Sequence, residues 1–245
     1  MRSIPGEPAV TVSAVGVPER VIETIEGAGH AVNRTTPTSI ASDASAIVTA
    51  GEDDLLEVAT GRPSAPVLAL DTGIGPGVDD RAAIREALAD GREYDRPLLD
   101  VSMGDESVAS ALFDVALVTS EPARISEYAI GDARGERVAS FRADGIVVAT
   151  PAGSLGYAAA AGGPRLSPTA AVVCAVPIAP FHTQSGHWVL ESGGLSLSVL
   201  REEGAVSLLV DGTNHGSVEA GRSVGLTVGG RMRTLHPRGR ELETL

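Results

Sequence analysis

Apolar and polar positions follow two different rhythms along the chain. Up to about residue 98, short apolar runs alternate with stretches of helical period. Ala9–Val15, Ala44–Ala50 and Ala65–Leu70 read as strands. Pro18–Gly27 reads as a helix, opened by Pro18 and stopped by Gly27 and Gly29. Asp54–Ala59 predicts a short helix. Asp79–Asp90 predicts a longer one, acidic at its first turn, with Ala82, Ile84, Ala87 and Leu88 on roughly one face. Strand–helix alternation of this kind implies a parallel sheet with helices on its faces.

Beyond residue 98 the period shortens. Alternating stretches recur at Leu112–Thr119, Glu127–Ile130, Arg137–Phe141, Gly145–Thr150, Ala170–Val176, Trp188–Leu190, Leu195–Arg201, Val206–Val210, Ser223–Val228 and Met232–His236. Gly, Asp, Asn and Pro turns separate them, which predicts a β-sandwich-like domain. Only Ser154–Ala161 reads as helix there, with Ser154 as N-cap and Gly162 as the C′ residue. The fold class is therefore α/β followed by all-β, with residues 1–98 and 99–224 as the two domains.

Composition narrows the partners. Of 245 residues, 43% are hydrophobic and only 3% aromatic, while 29 are Gly, so the core is built from small and β-branched side chains. The net charge of −13 is lopsided: residues 1–120 hold 20 acids and 8 arginines, and residues 121–245 hold 12 acids and 11 arginines. Without a basic stripe, nucleic acid and anionic membrane are poor partners. No lysine occurs anywhere. A lysine-free acidic chain points to a halophilic protein in a saline cytoplasm, and arginine codons of a GC-rich genome are the competing explanation. The single Cys174, in an apolar run, fits a core thiol and a reducing compartment. The N-terminus MRSIPGEPAV has no apolar signal core, and the longest apolar run, Ala170–Pro180, is too short to span a bilayer. A cytoplasmic location is expected. The near-neutral second half implies surface withdrawn from brine, hence a homo-oligomer assembled through that domain.

The densest chemical signal is Asp144-Gly-Ile-Val-Val-Ala-Thr-Pro-Ala-Gly-Ser154-Leu-Gly-Tyr157, running on to Gly162-Gly163-Pro164. A strand here delivers a Thr-Pro-x-Gly-Ser turn onto a helix start, whose free N–H groups suit an anionic ligand. Gly153 would let backbone approach that ligand, Thr150 and Ser154 add hydroxyls, and Tyr157 could flank a ribose or a base. A pair of helix caps around one short helix explains the same residues without a ligand. Other signals are weaker. Gly73, Gly75 and Gly77 lack dinucleotide-fingerprint spacing. His182 and His187 default to surface histidines, and Asp211-Gly212 serves as a hairpin turn.

The 144–164 segment resembles the C-terminal domain of the NAD kinases, whose motif runs DG-(apolar)-TPTGSTAYxxSAGGP. In register with it, Pro177–His182 is similar to the family's PICPHS, His187–Leu190 to its RPLVLP, and Val210-Asp211-Gly212 to its DGQ hairpin. Upstream, Pro66–Gly73 is similar to PVLGVNxG, and Ala111–Asp114 stands where the family writes ALNE. The resemblance implies an α/β domain plus a β-sandwich domain, with residues 225–245 returning to the first. It implies transfer of a phosphoryl group from ATP to the adenosine 2′-hydroxyl of NAD, with Mg²⁺ or another divalent cation. It also implies a dinucleotide lying between the domains against Asp114, Asp144, Thr150, Gly153, Ser154 and Tyr157.

The departures are as informative. The family's GGDGT loop, whose Asp is the base on the 2′-hydroxyl, is Ala50-Gly51-Glu52-Asp53-Asp54 here. Glu52 falls on the base position with its carboxylate one methylene further out, and a misplacement of about 1 Å can cost on the order of 10²-fold in rate. Asp53 and Asp54 would face phosphate oxygens with like charge unless a metal lies between, and so are candidate metal ligands. An acidic helix N-terminus is the plain alternative. Phe113 replaces the amide that would bond NAD, and Ala152 and Leu155 replace hydroxyl residues. Three functions remain open on sequence: an active NAD kinase, a catalytically silent nucleotide-binding paralogue acting as sensor or subunit partner, and a phosphotransferase of the same fold acting on a lipid or sugar.

Overall fold

The structure is a computed structural model and describes residues 10–121, 124–181 and 186–238. In chain order the elements are β1 (Thr11–Val15), α1 (Glu19–Glu26), β2 (Ala31–Thr35), β3 (Ala46–Ala50), α2 (Glu52–Thr60), β4 (Val67–Leu70), α3 (Arg81–Asp90), β5 (Arg92–Met103), β6 (Glu106–Ala111), β7 (Asp114–Thr119), β8 (Ser126–Asp132), β9 (Arg137–Ala143) and β10 (Gly145–Ala149). There follow a 3₁₀ turn (Gly153–Leu155), α4 (Tyr157–Ala160), β11 (Val172–Ile178), β12 (Trp188–Glu191), β13 (Leu195–Arg201), β14 (Val206–Val210), β15 (Thr213–Ser217) and β16 (Ser223–His236). The chain divides into two compact units, residues up to Asp95 with those from Met232 on, and Arg96–Arg231. Strands β5 and β16 carry the chain from one unit to the other.

In the first unit, parallel strands stand in the order β2-β1-β3-β4. Thr234 of β16 pairs with Val67 of β4 on the far side, also in parallel. Val12, Val48, Leu68 and Leu70 pack against Val21 and Ile25 of α1 and Ile84 and Ala87 of α3, closing one face. Helix α3 starts where Asp80 accepts the Ala83 amide at 3.0 Å, a side-chain cap in front of the first turn. The sequence reading missed β2. Its pattern, Ala-Val-Asn-Arg-Thr, has no buried residue, because an edge strand is held by backbone pairing to β1 and needs no apolar face.

The second unit holds two sheets around a core that includes Leu117, Tyr128, Ile130, Ile146, Val148, Leu197 and Leu208. One runs β6-β5-β16-β13-β8-β9, the other β12-β11-β10-β7-β14-β15. Phe141 of β9 stacks on Trp188 of β12 at 5.4 Å between ring centroids. Strands β5, β6 and β15 were not expected from the sequence. Pro97 within β5 and the polar Thr-Asn-His-Gly-Ser of β15 mask their pairing. The two stretches expected at 223–228 and 232–236 are one strand, β16, carried through Gly229-Gly230. There a Cβ on Gly229 would meet the Asp100 carboxylate, which would have to move aside. Cys174 is a buried free thiol, and burial raises its pKa. Among the described residues no helix is long and apolar enough to cross a membrane.

Candidate functional site

In the first unit, topology marks a candidate edge. The strand order reverses between β1 and β3, and open α/β sheets bind ligands outside the carboxyl ends of strands at such a switch point. The loop leaving β1 turns at Gly16 (φ 61°) and the one leaving β3 at Gly51 (φ 85°), conformations that glycine adopts at little cost. Gly51 feeds directly into α2, whose first turn is Glu52-Asp53-Asp54. Glu52 and Asp53 are exposed, while Asp54 is half-buried and folded onto Gly16, where a Cβ would collide with its Oδ2. The helix dipole favours all three carboxylates at this end. Among the described residues, no group of three or more His, Cys, Asp and Glu side chains is disposed to hold a metal ion.

The loop after β4 is closed by its own residues. Asp71 accepts the Val78 amide at 3.0 Å and its N–H donates to Pro76 O at 3.0 Å. Gly75 lies so close to Ala69 O that a Cβ would strike it. Close approach of the backbone accounts for Gly75, whereas a Cβ at Gly73 would meet nothing within 4 Å.

In the second unit, the 150–157 turn is wired into the strand end at 112–114. Thr150 Oγ1 donates to Leu112 O at 2.6 Å, and the Thr150 amide donates to Phe113 O at 2.9 Å. Ser154 Oγ donates to Pro151 O and accepts the Leu166 amide, each at 3.0 Å. Both hydroxyl residues are fully buried. Gly153 presses on the Phe113 carbonyl, and any Cβ there would collide with that backbone.

These contacts correct the sequence reading. Ser154 does not cap a helix: a 3₁₀ turn covers Gly153–Leu155, the chain breaks at Gly156, and α4 is one turn, Tyr157–Ala160. The close approach at Gly153 is to the protein's own backbone, and the Thr150 and Ser154 hydroxyls are spent on internal partners. Gly162 does adopt the expected left-handed conformation, φ 86°.

Asp114 and Asp144 are half-buried and Tyr157 is exposed. The register from Asp114↔Ala149 to Val118↔Gly145 sets Asp114 and Asp144 at opposite ends of the β7–β10 ladder, about 17 Å apart at roughly 3.4 Å per residue. Tyr157 is 40% exposed. Burial of its remainder raises the phenol pKa, and the charges of Asp114 and then Asp144 raise it further. Of the two histidines named from sequence, His187 is exposed and His182 lies outside the described residues.

Two residues support the site through contacts that the sequence did not reveal. Tyr128, fully buried, donates to Asp144 O at 3.3 Å and meets Thr119 Oγ1 at 2.8 Å, fixing the backbone at Asp144. Asp211 accepts from the Leu112, Phe113 and Asp114 amides at 2.8, 2.8 and 2.9 Å. A hairpin Asp-Gly signals a turn and conceals a partner nearly a hundred residues away.

Residues 112–235, which span β7–β10, the 150–157 turn and the Asp211 hairpin, match the family described as the ATP-NAD kinase C-terminal domain. The chain belongs to the ATP-NAD kinase family. The NAD kinase of Methanosarcina barkeri is 33% identical over 175 residues, covering 66% of this chain and 62% of that one, so the chain spans less than two thirds of that relative. The NAD kinase of Methanoregula boonei is 29% identical over 209 residues, covering 82% and 74%. The crystal structure of an NAD kinase from Archaeoglobus fulgidus in complex with ATP superposes with a TM-score of 0.75 at 20% identity, covering 96% of each chain. Yeast NADH kinase complexed with NADH gives 0.75 at 17% identity, covering 97% of this chain and 86% of that one. Both confirm the two-part fold, α/β with a strand-rich second part.

Within an ATP-NAD kinase fold, the Ala50–Asp54 loop stands out. It occupies the switch-point edge of the first sheet and opens α2 with three consecutive carboxylates, Glu52, Asp53 and Asp54.

Proposed function

We propose that the protein is an NAD kinase, transferring a phosphoryl group from ATP to the adenosine 2′-hydroxyl of NAD. The observation that carries this reading is the family match over residues 112–235, which contains the wired 150–157 turn with the exposed Tyr157. In this reading the dinucleotide lies along the β7–β10 ladder, with Tyr157 against a base or ribose and Asp114 accepting a hydrogen bond from the ligand. Thr150, Gly153 and Ser154 shape the turn from inside. The roughly 17 Å between Asp114 and Asp144 suits the two ends of an extended dinucleotide.

Glu52 is the base in this proposal. It is exposed on the first turn of α2, at the carboxyl edge where a ligand is expected. It takes the 2′-hydroxyl proton as the phosphoryl group arrives. The oxygen donors Asp53 and Asp54 fit Mg²⁺ as one or two carboxylate ligands, with ATP phosphates supplying others. A bound Mg²⁺ would neutralise charge on the phosphates.

The same loop favours a second reading. Two carboxylates where the family has glycine and threonine repel a triphosphate when no metal is bound, as in a nucleotide-binding paralogue without turnover. One assay separates the two: NADP⁺ formation from ATP and NAD with Mg²⁺ in molar KCl, beside Glu52→Gln. General-base loss should lower turnover by about 10²–10⁴-fold with NAD affinity nearly unchanged. Dinucleotide binding with no turnover in the parent protein establishes the silent reading, and equal turnover in the variant removes Glu52 from the base role.

The remaining proposals concern setting. A homo-oligomer assembled through the second unit and adaptation to salt rest on the charge distribution of the sequence, and a cytoplasmic location rests on the single Cys174.

A further inference from the structure

Asp211 sits at the tip of the β14–β15 hairpin. Its φ is 45° and that of Gly212 is 78°, the paired left-handed conformations of a two-residue hairpin turn. A turn aspartate of the usual kind bonds its own backbone two residues on. This one reaches to residues 97 to 99 positions earlier. Its Oδ2 accepts the Leu112 amide at 2.8 Å, and its Oδ1 accepts the Phe113 amide at 2.8 Å and the Asp114 amide at 2.9 Å. In return the Asp211 amide donates to Asp114 O at 2.9 Å. Three successive amides converge on one carboxylate, and bonds from N–H to a charged acceptor are roughly twice as strong as neutral ones.

The same short stretch is gripped from the other side. Thr150 bonds Leu112 O and Phe113 O, and Gly153 is pressed on Phe113. The carbonyls thus go to the 150–157 turn and the amides to Asp211. The carboxylate of Asp114, one of the two charges that act on Tyr157, extends from the end of this clamped segment.

We infer that Asp211 is a positioning residue that sets the Asp114 carboxylate and the 150–157 turn in the geometry that receives the nucleotide. The inference deepens the proposed nucleotide site and rests on it. A hairpin turn alone needs neither three long-range amide partners nor an anion, and Asn would serve the turn equally well.

Asp211→Asn makes the distinction. The side chain keeps its shape, but the group facing Leu112 N–H becomes a donor, or, if flipped, the group facing Phe113 and Asp114 does. Two measurements are made on the full chain: amide hydrogen exchange, and calorimetric titration with NAD. Exchange at Leu112, Phe113 and Asp114 should quicken at least tenfold, while Val147 and Leu208, in the neighbouring strands, keep their rates. The dissociation constant for NAD should rise about tenfold. KM should rise by a similar factor with kcat little changed, the mark of binding lost equally from ground and transition state. Thr150→Val, which frees Leu112 O from the opposite side, should reproduce the binding loss if Asp211→Asn proves too unstable to purify. Unchanged exchange at 112–114 overturns the clamp. Faster exchange with unchanged NAD affinity overturns the positioning role. Failure of the parent protein to bind NAD or ATP refutes the nucleotide site and the positioning role with it, and the exchange data then report the clamp separately.

Discussion

Gly153→Ala asks what the glycine is for. If Gly153 makes room for a ligand, a methyl group there blocks binding and leaves the fold intact. The structure assigns the space to the protein, because an added Cβ would fall on the Phe113 carbonyl, which is backbone and cannot rotate away. That carbonyl accepts the buried Thr150 amide at 2.9 Å, and its neighbour Leu112 O accepts Thr150 Oγ1 at 2.6 Å. Overpacking of this kind costs about 1–3 kcal/mol. Stripping a buried donor of its partner costs about 1–3 kcal/mol more. A loss of about 3 kcal/mol is expected, which lowers Tm by about 6–12 °C in a chain of this size. Gly193→Ala is the control, since nothing lies within 4 Å of a Cβ at that turn. Thermal unfolding by circular dichroism, paired with NAD calorimetry at 20 °C, reads both effects. A variant that melts with the parent protein yet has lost NAD binding refutes the reasoning and returns Gly153 to the ligand.

Tyr128→Phe tests the anchor of Asp144 through pH. Burial raises the Tyr128 phenol above its ordinary value of 10.0, so the unfolded chain ionises first and stability falls as pH rises beyond about 10. The Phe variant should lose less stability between pH 9.5 and 11 in urea titrations, by up to about 1.4 kcal/mol per pH unit, and identical slopes count against it. Clustered carboxylates in the first 120 residues predict a Tm that climbs between about 0.1 M and 1 M KCl, as the Debye length falls from roughly 10 Å to 3 Å; a flat or falling curve removes salt adaptation. Mass measurement in high salt should find at least a dimer of the 24.9 kDa chain, and a monomer alone defeats the assembly proposal.

Local patterns in the sequence carried the two-part architecture, since the period of buried positions is a property of each segment by itself. Val12, Ile47, Leu68 and Ile84 announce an α/β layer, and the alternation in Leu195–Arg201 and Val206–Val210 announces sheets, before any contact is known. The 144–164 motif was legible for the same reason. What the tertiary structure decided lies between segments. Strands β2 and β15 exist because a neighbour completes their backbone bonds, and no apolar period marks them. A glycine in sequence states only that a Cβ is absent; the fold states that the Phe113 backbone takes that space. Thr150 and Ser154 read as ligand hydroxyls because a hydroxyl's partner is not written beside it, and folding supplied Leu112 O, Pro151 O and the Leu166 amide. Asp211 is the plainest case. Its turn chemistry is local and readable, whereas its grip on residues 112–114 depends on β7 and β14 pairing across nearly a hundred residues, a register that only the folded sheet determines.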